Sequence, residues 1–80
     1  MDELTALGLT VKHNHWYEPH FYILYADLLL AKTALQNENW WVAQTLLIGA
    51  SNLILLDSRE DVMQLRLAID EQIRLIGKQL

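Results

Sequence analysis

The chain has no cysteine, a single proline, three glycines and only six basic residues among its eighty positions. Without cysteine there is no disulfide framework, zinc–thiolate site, iron–sulfur cluster or thiol nucleophile. Six Lys and Arg against ten Asp and Glu leave a formal net charge of −4. That balance supplies no basic face for neutralising a phosphate backbone, so a nucleic-acid partner is not expected. Gly8, Gly49 and Gly77 stand far apart and build no phosphate-cradling loop. Gly49-Ala50-Ser51 reads instead as a place where two helices approach closely. What remains is rich in Leu, Ala and Ile: 52% of the residues are hydrophobic and 20% charged. This is the composition of one small globular domain, near the lower limit for a self-sufficient core.

The amino-terminal stretch Met1-Asp2-Glu3-Leu4 is acidic where a secretory signal carries positive charge, and no continuous apolar run follows it. One short helical turn over Asp2–Leu7, ended by Gly8, is expected inside an otherwise extended arm covering residues 1–18. Pro19 then suits the first turn of a helix, and the Leu- and Ala-rich run to Gln36 predicts the first long helix. Asn37-Glu38-Asn39 is a polar connector, in which Asn tolerates the left-handed conformation and Asn39 caps the next helix. A second helix is expected over Trp40–Leu56. A third follows from the connector Asp57–Asp61, where Ser58 and Asp61 have capping-box spacing, and continues to Leu80.

The third helix carries the clearest periodicity. Val62, Leu65, Ile69, Ile73, Ile76 and Leu80 recur at intervals of 3 or 4 and form one stripe. Arg66, Asp70 and Arg74 lie elsewhere as a ladder of opposite charges, and Leu67 falls nearly opposite the stripe. The second helix is less ordinary, because Asn39 to Leu56 holds no charge over eighteen residues. Val42, Ala43, Leu46, Leu47, Ala50, Leu53 and Ile54 make one wide apolar arc. Trp41, Ile48 and Leu55, spaced seven apart, make a second. Two arcs require two neighbours: the amino-terminal arm or another chain. Eighteen uncharged residues reach the low end of a membrane span, but Gln44, Ser51 and Asn52 favour a buried central helix, and membrane insertion is not expected. The first helix is apolar around most of its circumference, interrupted chiefly by Asp27 and Lys32. Two helices of this kind expose more apolar surface than an eighty-residue monomer covers, which marks an interaction surface.

Chemistry-bearing residues are sparse. His13, His15, Glu18 and His20 crowd into eight positions, but their spacing is no recognised ligand set, and surface histidines are the simpler reading. His20 as a phosphoryl carrier or general base needs an orienting carboxylate, for which Glu18 and Asp27 are the candidates. Asp27 sits in an apolar helix, with Arg66 or Arg74 as expected partners. Trp40 reads as a core anchor, and Trp41 as divided between anchoring and partner contact.

From Tyr22 to about Ile76 the chain resembles the HemX family, proteins often labelled uroporphyrinogen-III C-methyltransferase-like. The residues that carry the likeness are Ala26-Asp27-Leu28-Leu29, Thr45-Leu46-Leu47 with Ala50-Ser51 and Leu53, the turn at Asp57-Ser58, and Arg66-x-Ala68-Ile69 with Ile73. The resemblance implies a tetratricopeptide-like helical hairpin in a bacterial envelope-associated protein. The family's membrane anchor and coiled coil are not in residues 1–80, and Trp40-Trp41 stand where polar residues are expected. The methyltransferase label does not carry over, because no nucleotide-cofactor loop is present. Microtubule-interacting-and-trafficking domains and helical sugar-phosphotransferase carriers share the same silhouette.

The expectation is therefore an all-α, three-helix, up-down-up bundle over residues 19–80 behind an arm over 1–18. It is expected to be a non-enzymatic module that binds a protein partner or a second copy of itself through Trp41, Ile48, Leu55 and Leu67. No catalytic residue, cofactor or metal is assigned. A small helical carrier using His20 is the alternative. No location is assigned from the sequence: a cytoplasmic protein and an excised domain of an envelope-associated protein both fit it.

Overall fold

A computed structural model describes residues 3–14 and 16–80. The protein is all-helical, with four helices where three were expected: α1 (Glu3–His13), α2 (Pro19–Gln36), α3 (Trp40–Leu53) and α4 (Glu60–Gly77).

Helix α1 occupies most of the expected arm. Leu4, Leu7 and Val11, at intervals of 3 and 4, turn one face inward and are all buried. Glu3 in the first turn and Lys12 and His13 in the last complement the helix dipole. Gly8 does not end this helix but lies in its middle. A Cβ there would stand 3.4 Å from the Tyr25 ring, so α1 and α2 lie within contact distance at this point.

Helix α2 begins at Pro19, as its fixed φ dictates. It ends in a Schellman arrangement in which the Asn39 amide donates to the Ala34 carbonyl (2.8 Å) and the Glu38 amide to that of Leu35 (3.0 Å). The left-handed residue is Glu38, at φ 56°, and neither neighbouring asparagine. Helix α3 stops at Leu53, three residues before the expected Leu56. Its last turn tightens, with the Ile54 amide bonded to the Ser51 carbonyl and that of Leu55 to Asn52. This carries Ile54 into the core and leaves Leu56 almost wholly in solvent. The expected Ser58 cap is absent. Arg59 takes the cap position, its amide donating to Asp57 Oδ1 (3.0 Å), while Asp61 accepts from the adjacent Val62 amide.

Each helix packs on the next in sequence, and α1 closes the arrangement against α4. The molecule measures 32 × 20 × 18 Å. Phe21, Leu24, Leu28, Leu47, Ile54, Val62 and Ile69 form its fully buried centre. The α4 stripe is observed through Val62, Leu65, Ile69 and Ile76, with Ile73 partly buried. Leu80 lies beyond the helix end and is exposed.

Candidate functional site

Helix α3 touches α2 on one side and α4 on the other. Helix α1 does not reach it, so α1 does not cover the second apolar arc of α3. Ala43, Leu47 and Ala50 face inward and are completely buried, and Trp40 packs on the core edge. Trp41, Val42, Thr45, Ile48, Gly49 and Asn52 are all exposed. At about 100° per residue they occupy an arc of roughly 120°, centred on Thr45. Val42, expected in the core arc, thereby joins the outer face with 45% of its surface exposed. The core side of α3 is narrower than the sequence suggested, with Ala43, Leu47 and Ala50 at its centre and Trp40, Leu46 and Leu53 at its edges.

The four residues expected to touch a partner all reach solvent: Trp41 at 69% exposure, Ile48 at 44%, Leu55 at 50% and Leu67 at 54%. Trp41 and Ile48 share the outer arc of α3, Leu55 follows in the turn, and Leu67 stands on α4. The neighbouring helix α2 adds Ile23, Leu29 and Leu30, also exposed. Among the described residues, fifteen large hydrophobic side chains are exposed, and the sixteen hydrophobic residues buried in the core include four alanines. Scattered apolar residues on a surface need no explanation, but an uncharged helix face bearing tryptophan does.

A second feature was not read from the sequence. Val11, Lys12, Trp16, Tyr17, Phe21, Tyr22 and Tyr25 line an open cleft of about 290 Å³ where α1 meets the start of α2. The Trp16 ring stacks on Phe21 at 4.7 Å, and His20 leans on the same ring at 4.4 Å. The Arg59 guanidinium lies 5.4 Å from the Phe21 centroid. The available sequence signal was aromatic density on both sides of Pro19, which only the α1–α2 corner brings together.

Arg59 ties this corner to the α3–α4 connector. It reaches Glu18 at 2.9 Å and Asp57 at 2.5 Å, with a further Nε bond to Asp57. Hydrogen bonds from Arg59 hold the Asp57 carboxyl down at about 2. A backbone hydrogen bond, followed by the Arg59 charge, also lowers Glu18. Glu18, a candidate orienting group for His20, is thus committed to Arg59. Asp27, the other, is raised by desolvation. Its expected cations are engaged on their own helix, Arg66 facing Asp70 at 3.8 Å and Arg74 pairing with Glu71. No three His, Asp or Glu side chains converge as a metal site among the described residues, and His15 lies outside them. No described helix is long and apolar enough to cross a membrane.

These features define a small all-helical protein with uncovered apolar faces on adjacent helices. No family model, curated protein or solved structure matches the chain.

Proposed function

We propose that the protein is a non-enzymatic helical interaction module, which associates with a protein partner or with itself through the outer faces of α2 and α3. The observation that carries this reading is the exposure of Trp41, Ile48 and Leu55 on a segment without charge from Asn39 to Leu56. Tryptophan held in solvent is a large apolar area with few torsions to immobilise, the profile of an interface anchor.

The HemX-like pattern and its tetratricopeptide-like hairpin support the same reading through packing. Leu28, Leu47, Ala50 and Ile69, which carry the likeness, are buried core positions. The α2–α3 hairpin, with its three-residue connector, is the unit such modules use to present a face.

Light scattering over a wide concentration range tests the proposal. The expected result is a mass above 9.3 kDa that rises with concentration and falls when Trp41 is replaced by alanine, or a defined complex that the same substitution weakens. A monomer at every concentration that forms no complex sensitive to Trp41→Ala overturns it.

A further inference from the structure

Gly49 is an anomaly in the isolated chain. It lies in the middle of α3, on the solvent side, and a Cβ built there would meet nothing within 4 Å. Glycine in such a place weakens the helix, and no contact within the subunit requires it. By contrast, Gly8 sits against the Tyr25 ring and Gly77 against the Gln44 side chain. Of the close approach expected at Gly49-Ala50-Ser51, Ala50 and Ser51 are buried and Ser51 bonds to Asp70 of α4, but Gly49 itself meets nothing within the monomer.

The same face holds Trp41, the most exposed apolar residue on α3. Trp41 and Gly49 lie four residues to either side of Thr45, while Val42 and Ile48 lie three to either side. Two copies of α3 crossing antiparallel at Thr45 therefore set the largest side chain of each against the smallest position of the other. They also set Val42 against Ile48, and Thr45 against itself.

We propose that the partner of this face is a second copy of the chain, docked in a two-fold antiparallel α3–α3 contact centred on Thr45, with each Trp41 seated over the second copy's Gly49. This inference rests on the reading of the outer faces as an interaction surface and specifies its occupant and register. A two-fold contact presents the same patch twice, so like charges in it repel across the axis. Here the net charge of −4 lies outside the patch, and Asn39 to Leu56 brings none to it. Helical side chains lean toward their own amino terminus, so each indole covers the turn from Gly49 to Asn52 of the facing helix. The apolar side chains this contact would cover, Trp41, Val42 and Ile48, are all exposed on α3.

Single-cysteine variants of the full chain test the register, because the native sequence supplies no competing thiol. Thr45→Cys is expected to form a disulfide dimer under mild oxidation at least tenfold faster than Leu67→Cys or Leu30→Cys. Gly49→Leu, whose Cβ would meet nothing within 4 Å in the monomer, is expected to weaken self-association at least tenfold while far-ultraviolet circular dichroism stays unchanged. A dimer that cross-links no faster at Thr45 than at Leu67, and that Gly49→Leu leaves intact, overturns the proposed register while the interaction-module reading stands. A chain that stays monomeric at all concentrations overturns the second-copy proposal. If it also forms no Trp41-dependent complex, the broader reading falls with it.

Discussion

Ser51 Oγ donates a 2.6 Å hydrogen bond to Asp70 Oδ1, joining α3 to α4 through a buried polar side chain. Arg66 faces the other Asp70 oxygen at 3.8 Å, so the carboxylate is held between two helices rather than dispersed along a solvated ladder. A hydrogen bond to a charged acceptor contributes more than a neutral one. Ser51→Ala is expected to cost about 1–2 kcal/mol, read as a lower urea midpoint with unchanged slope. A change near zero would show that water replaces the hydroxyl.

Helix α1 is expected to be integral to the fold. Leu7 is 6% exposed among core residues, and its truncation leaves a cavity that helices on two sides have to close. Leu7→Ala is expected to destabilise by about 2–4 kcal/mol. An independent arm would register almost nothing in the same urea titration.

Glu38 carries the left-handed turn between α2 and α3 at φ 56°. A side chain in that conformation costs roughly 1 kcal/mol, which glycine avoids. Glu38→Gly is expected to raise stability by about 0.5–1 kcal/mol despite its greater freedom when unfolded. Thermal unfolding of the two chains at matched concentration measures it, and a loss of stability would mean that the Glu38 side chain contributes contacts of its own.

Much of the architecture was legible in the sequence where one physical signal acted alone. Pro19 marks the start of α2, and the spacing of Val62, Leu65, Ile69 and Ile76 marks the buried face of α4. The misreadings occur where two signals compete. Leu4, Leu7 and Val11 have helical spacing, but Gly8 between them looks like a stop, whereas α1 runs straight through it beside the Tyr25 ring. The same ambiguity, reversed, makes Gly49 look like an internal contact. Which side of a helix faces a neighbour depends on where that neighbour lies, and the chain carries no local record of it. Leu55, expected on α3, follows its end in the turn, while Trp41 and Ile48 were legible as an outer arc of that helix. The aromatic cleft was not, since Val11, Trp16 and Tyr25 meet only after α1 turns back on α2.

Acid stability follows from the Arg59 pairs. Asp57 is depressed from 3.8 to about 2 by hydrogen bonds from Arg59, so the folded state holds its proton more weakly than the unfolded chain. Its contribution is complete above the unfolded value and disappears as pH falls through the folded one. Glu18 is shifted in the same direction. Asp27 opposes them: desolvation raises it, so protonation of that group favours the fold. The urea midpoint is therefore expected to decline between about pH 4 and pH 2, less steeply in Arg59→Met, where the depressing partner is gone. Both carboxylates are partly solvated, which keeps the effect small and reduces it further in high salt. Asp27→Asn is expected to raise the midpoint at pH 7 and to make little difference at pH 2, where the native aspartate is already neutral. If Arg59→Met leaves the acid limb unchanged, the corner formed by Glu18, Asp57 and Arg59 does not control it, and the decline has to arise from other carboxylates.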